Sequence, residues 1–371
     1  MSLRILYVSH YALPHLGGIE VVVDALAREL ATRGHRVVHV ASTAHGGAVG
    51  REPSGYEVVR VPALNGLESR LGVPWPMFAP SLLPRLRREV AAADVVHAHG
   101  MLYMSSALAL ALAARAGTRR VLTEHVGHVA YAQPALDRIQ ALAIGSLGRA
   151  SVRRAQAVVV LNEKVRSEMA GLGARGPVVT IANGVDTAAY RPPEPGEREA
   201  LRAALGWDER PRVLFVGRLV AKKGIDLAIG AAQRAAGAFE LVVAGPGRAP
   251  EVLPASVRVL GAQPPARVAE LYRAADALVL PSHGEGFPIV VQEAMASGTP
   301  VVVLDDPSYE PYLEGAGAGA RRVPAEPGAI AGALRELLAD PAAGAAALEY
   351  ARLAFSWAEA ADAHEALYRS L

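Results

Sequence analysis

The sequence predicts two α/β units in tandem, each built on a doubly wound, mostly parallel sheet. Three observations carry this expectation. Short aliphatic, β-branched runs recur along the chain with helical patterns between most of them, as strands buried on both faces require. A proline-rich break at 187–196, holding Pro192, Pro193 and Pro195, separates two such series. The length of 371 residues exceeds what one hydrophobic core usually organises.

The first series opens with a strand at 3–9, an amphipathic helix at 20–33 closed by Gly34, and a strand at 36–41, which together make a βαβ unit. Between strand and helix stand Gly17 and Gly18, where a ligand can approach the backbone closely. Further strands are expected at 57–61, 94–97, 120–123, 157–160 and 178–181. After the break, strands are expected at 212–216, 240–244, 257–260, 277–280 and 301–304. From about Ala329 the chain is Ala-rich and helical, and its last piece, 357–368, carries aromatic anchors that suit a return to the first domain. The expected domains are 1–186 joined by a terminal helix at 355–371, a linker region at 187–206, and 207–354.

Composition narrows the function classes. Apolar residues make up 51% and charged residues 20%, the mixture of a chain that folds and stays in solution. A formal net charge of +2 argues against a dedicated nucleic-acid binder. With no Cys there are no disulfides, thiolate metal sites or thiol nucleophiles, which suits a cytoplasmic location. The run at 5–8 reads as a strand and not a signal peptide. The apolar run at 101–114 is shorter than the ~20 residues that span a bilayer and reads as a buried helix.

Chemistry concentrates at 283–300, which with the apolar runs 277–280 before it and 301–304 after it reads strand, loop, helix, strand. Pro288 suits the first helical position, and the helix start it opens offers free backbone N–H groups to an anion such as phosphate. Glu285 falls in the loop and Glu293 on the helix, and carboxylates beside an anion site suit the hydroxyls of a sugar or ribose. The turn at 217–224 places Arg218, Lys222 and Lys223 after a strand and before a helix. There a planar guanidinium fork and a point charge match a diphosphate.

Gly217-Arg218-Leu219 with Lys223-Gly224, then Pro281-Ser282, Glu285-Gly286-Phe287-Pro288, Glu293-Ala294 and Gly298-Thr299-Pro300-Val301 resemble the retaining glycosyltransferases of family 4. So do Asn183-Gly184-Val185-Asp186, Gly17-Gly18 and Phe355-Ser356-Trp357. The resemblance covers nearly the whole chain. It implies a GT-B fold of two facing Rossmann-like domains, an acceptor bound by the first and a nucleotide sugar by the second. It implies donor contacts from Gly17, Gly18, Arg218, Lys223, Glu285, Gly286, Phe287, Pro288, Ile289, Val290 and Glu293. Arg218 and Lys223 would take the diphosphate, Glu293 the ribose and Glu285 the sugar. His125 matches a histidine near the reacting sugar, with Glu124 and His128 as weaker candidates.

The activity so implied is transfer of a sugar, with retention and without metal, from a nucleotide-diphosphate sugar to a hydroxyl of a glycan, glycolipid or small molecule. Cell-envelope glycan synthesis is the expected setting. No cofactor is expected. His97, His99, His125 and His128 also admit a metal reading, but no Asp-x-Asp accompanies them. Paired carboxylates serve glycoside hydrolases too, a reading that leaves Arg218 and Lys223 without a role. A sugar-nucleotide epimerase and a non-catalytic nucleotide-sugar-binding protein are the remaining alternatives. Peripheral contact with an anionic membrane is expected from 74–78 with the basic, apolar stretch 82–88. Asp305 to Glu310 departs from the Gly-rich turn of the family and bears on sugar preference.

Overall fold

The structure is a computed structural model and describes residues 2–15, 17–43, 50–51, 55–66, 68, 75–128, 134–283, 287–310 and 312–371. The chain divides into two compact units, Met1–Asn183 with Trp357–Leu371, and Gly184–Ser356.

The first unit holds strands β1 (Arg4–Val8), β2 (Arg36–Ser42), β3 (Gly50–Arg51), β4 (Glu57–Val61), β5 (Ala63–Leu64), β6 (Met77–Phe78), β7 (Val95–His99), β8 (Arg119–Glu124), β9 (Ala157–Val160) and β10 (Val178–Thr180). Its main sheet has the order β10-β9-β8-β7-β1-β2-β4-β3, parallel except for the short β3, and β5 pairs with β6 as a separate ribbon. Strand order reverses between β1 and β7, and ligands of open α/β sheets bind at the strand ends beside such a reversal.

Alternation along β1 assigns the two faces. Ile5 and Tyr7 pack with Val23, Leu26 and Tyr368, whereas Leu6 and Val8 pack with Leu82, Leu86 and Val90. The helix Leu82–Ala91 turns Leu82, Leu86 and Val90 into the core, with Arg87 and Arg88 on its exposed side. Trp75 and Met77 stay exposed beside it; Pro74 lies outside the described residues. Among the described residues no helix is long and apolar enough to cross a membrane.

The terminal helix Trp357–Ser370 packs beside Gly18–Thr32, inserting Ala361 and Tyr368 into the first core. Arg33 pairs with Asp362, and His35 Nε2 lies 3.3 Å from Glu365 Oε2. The expected start at 355 is two residues early. Phe355 stays in the second unit, its ring 5.4 Å from that of Phe287.

The second unit holds β11 (Arg212–Val216), β12 (Glu240–Ala244), β13 (Val257–Gly261), β14 (Ala277–Leu280), β15 (Val301–Leu304) and β16 (Ala320–Val323), all parallel, in the order β13-β12-β11-β14-β15-β16. Here order reverses between β11 and β14. Residues 187–206, expected as a linker, belong to this unit. They include the helix Glu197–Ala204, where Arg202 donates to the Ala274 carbonyl at 2.9 Å and pairs with Asp276 at 2.5 Å. The prolines before that helix shape a packed segment, and its charged residues lock it down.

Candidate functional site

The two sequence motifs of the second unit meet at its reversal point. After β11 the chain turns through Gly217 and Arg218 into a single 3-10 turn, Ala221–Lys223, and Gly224 starts the helix Ile225–Arg234 from a left-handed conformation, φ 71°. A Cβ on Gly224 would collide with the Pro281 carbonyl oxygen, so the turn after β11 presses against the loop after β14. His283 N donates to Lys222 O at 3.1 Å and closes the contact from the other side. Arg218 is exposed, and among the described residues its guanidinium has no partner. The Lys223 stem runs back past Gly217, with Cδ 3.8 Å from where a Cβ would stand there.

The loop after β14 leads into the helix Ile289–Ala296. Glu285 and Gly286 lie outside the described residues. Phe287 is buried against Tyr312, with ring centroids 4.5 Å apart, and so anchors the chain entering the helix. Pro288 is the cap residue, one position before the expected place, in an extended conformation that proline tolerates. Among the described residues no side chain caps this helix start. The N–H groups of Ile289 and Val290 thus belong to an uncapped first turn with the positive end of the helix dipole behind them.

Glu293 lies one turn further on, half-buried. Burial pushes its carboxyl up to about 7 against the opposing hydrogen bonds of Tyr190 and Tyr272. Tyr272 Oη donates to Oε2 at 3.1 Å. Neither tyrosine was singled out from the sequence. Tyr190 had a signal: Asp186 Oδ1 accepts from the Ala188 and Ala189 amides at 3.0 and 3.2 Å, and Tyr190 N donates to Asp186 O at 2.8 Å. The Asn-Gly-Val-Asp motif is a turn that delivers Tyr190 four residues later. Thr299 Oγ1 donates to the Tyr272 carbonyl at 2.7 Å, which gives the Gly-Thr-Pro segment a comparable part. Downstream, Glu310 and Asp305 pair with Arg322 of β16 at 3.0 and 2.7 Å, so the acidic turn is tied to the sheet edge.

In the first unit Gly17 is the cap residue of the helix Gly18–Thr32, and a Cβ there would strike Glu20 Oε2; Gly18 has open space around it. Glu20 is buried with Oε1 3.4 Å from His10 Nε2, too long for a good hydrogen bond. A carboxyl therefore already occupies this helix start. His125 follows β8, buried, with Nε2 3.1 Å from His99 Nδ1. Burial, and then His364, push its imidazole down to about 3. Glu124 accepts from the amides of Met101, Val126 and Gly127 and holds the loop together. His128, 3.3 Å from Asp137, is half-exposed at the loop edge. Among the described residues no three His, Asp or Glu gather as a metal site.

Two family descriptions match the chain, Glycosyltransferase Family 4 over residues 16–189 and Glycosyl transferases group 1 over 197–354. A D-inositol 3-phosphate glycosyltransferase of Xylanimonas cellulosilytica is 32% identical over 385 residues, covering 94% of this chain and 90% of that protein. The chain belongs to glycosyltransferase family 4. A namesake enzyme of Segniliparus rotundus is 41% identical over 139 residues, 33% of this glycosyltransferase and 30% of the relative. Across the first curated relatives the match spans 30 to 47% of their length. In fold, this family 4 chain is similar to Anabaena HepE, solved in complex with UDP, with a TM-score of 0.80 and 19% identity over the full length of both chains. The architecture is GT-B.

One pH effect follows for this glycosyltransferase. Burial raises the Glu20 carboxyl from 4.5 to about 7, so the folded state holds that proton more tightly than the unfolded chain. The Glu20 contribution to stability is full below about pH 4.5 and declines as pH rises to about 7, by on the order of 3 kcal/mol at most. Buried histidines such as His10, held down at about 3, act the other way up to pH 6.5. The difference between two proteins therefore isolates Glu20. Glu20→Gln should gain on the parent between pH 5 and pH 8 in chemical denaturation of the first unit. A constant difference would mean that Glu20 is already ionised at pH 5.

Proposed function

We propose that the enzyme transfers a hexosyl group from a nucleotide-diphosphate sugar to an acceptor hydroxyl, with retention at the anomeric carbon and without a divalent ion. The observation that carries this reading is the convergence of the Gly217–Gly224 turn with the uncapped start of Ile289–Ala296, fastened by the Gly224 and Pro281 contact. Leaving-group departure builds negative charge on a diphosphate. Arg218, Lys223 and the Ile289 and Val290 amides are donors for that charge, and the amides, fixed by the helix, need little reorganisation as it forms.

In this reading Glu293, steadied by Tyr190 and Tyr272, accepts from the ribose hydroxyls. Glu285 meets the sugar, and the backbone from Gly286 to Val290 meets sugar and phosphate, with Phe287 and Pro288 setting its path. The first unit takes the acceptor, with His125, Gly17 and Gly18 as its candidate ligand contacts. The names of the relatives and of HepE suggest the first reagents: inositol 3-phosphate as acceptor and UDP-sugars as donors.

Thermal unfolding with UDP, ADP and GDP in the presence of EDTA tests the donor half. A ligand bound only by the native state stabilises by ~2.7 kcal/mol at 100 times its Kd, so one nucleotide should raise Tm without metal. No shift in EDTA, with a shift restored by magnesium or manganese, would overturn metal independence. The anomeric configuration of the first-formed product, read by NMR, tests retention.

A further inference from the structure

Beneath His125 lies a column of buried rings that the proposed chemistry leaves unused. His97 spends both ring nitrogens, Nδ1 against Tyr368 Oη and Nε2 against Thr123 Oγ1, each at 2.6 Å. His99 stacks on His97 with ring centroids 4.4 Å apart and on His125 at 5.4 Å, and Tyr7 stands edge-on beside it at 5.2 Å. Its Nδ1 is 3.1 Å from His125 Nε2, and its Nε2 is buried with no partner among the described residues. Both rings are neutral, because burial first and the neighbouring histidines next hold them well below the ordinary range. Each ring therefore carries one proton, and a single hydrogen bond joins them.

Only two arrangements exist. If His125 Nε2–H donates, His99 must keep its proton on the buried Nε2, an orphaned N–H. If His99 Nδ1–H donates, its Nε2 is a bare lone pair, and buried donors without partners are rarer than buried acceptors without them. The second arrangement places the His125 proton on Nδ1. We infer that His99 is a positioning residue that locks His125 as the Nδ1–H tautomer, so that His125 meets its ligand as a hydrogen-bond donor and not as a base. The inference deepens the placement of His125 at the reacting sugar and rests on it for its catalytic meaning. An imidazole fixed as donor can stabilise oxygen-centred negative charge but cannot take a proton from the acceptor hydroxyl through Nδ1.

The test is long-range 1H–15N correlation on protein labelled in histidine nitrogen, with His125 assigned from the spectrum of His125→Asn. The expected result is one tautomer, with Nδ1 protonated and Nε2 bare. His99→Phe keeps a stacked ring and removes the donor. It should release His125 into mixed tautomers and lower kcat about tenfold, less than the ~10²-fold loss of a deleted transition-state donor, with the KM for the nucleotide sugar little changed. A protonated Nε2 on His125 in the parent protein overturns the proposal, as does an unchanged tautomer in His99→Phe; should that variant fail to fold, the parent spectrum alone decides. Full activity in His125→Asn would instead overturn the placement of His125 at the reacting centre and leave the tautomer result standing.

Discussion

Arg218→Ala should lower kcat about 10²- to 10³-fold, the range seen when one preorganised donor to developing charge is removed. The fold should be nearly untouched. Arg218 is exposed and has no partner among the described residues, and surface changes of this kind usually stay within about 0.5 kcal/mol. The two readouts therefore separate, and a large kinetic loss beside an unchanged Tm would be an effect on the transition state. Arg218→Lys should recover part of the rate, because it restores a charge without the planar fork that meets two phosphate oxygens together. A kcat within twofold of the parent in Arg218→Ala, with donor saturating, would remove Arg218 from the leaving-group site. The uncapped helix start would then carry the diphosphate with Lys223.

The distribution of these residues explains why the sequence revealed so much of the second unit. The strands after the break are apolar runs buried on both faces, such as Val301–Leu304, and their boundaries follow from composition alone. Ala320–Val323 was missed because its two arginines make an edge strand read as a loop. The Arg218 and Lys223 turn and the Pro288 helix start were legible because proline, glycine and charge mark backbone geometry directly. Tyr190 and Tyr272 were not, since they reach Glu293 from 103 and 21 positions away in sequence, and no local pattern registers such a meeting. The first unit hid more. His99 and His125 read as histidines ending two neighbouring strands, but their ring contact follows from the parallel register of β7 with β8, which sets His99 beside Thr123.

Gly224→Ala should be a strongly damaging small substitution in the second unit. Two costs add. The left-handed φ of 71° costs a residue with a Cβ roughly 1–2 kcal/mol. The added methyl must also displace the Pro281 carbonyl, which is backbone and has no rotamer to change. Together they should destabilise by about 3 kcal/mol, or ~6–12 °C in Tm for a unit of this size. Gly237 in the same unit is the control. Its φ is 87°, but a Cβ there meets nothing within 4 Å, so Gly237→Ala should show the conformational cost alone. The excess in Gly224→Ala measures the packing of the basic turn on the loop after β14. If that contact sets the spacing between Arg218 and the Ile289 amides, folded Gly224→Ala should also lose donor affinity while Gly237→Ala keeps it. Equal Tm losses and equal affinities in the two variants would show that the turn and the loop are held together by something other than this contact.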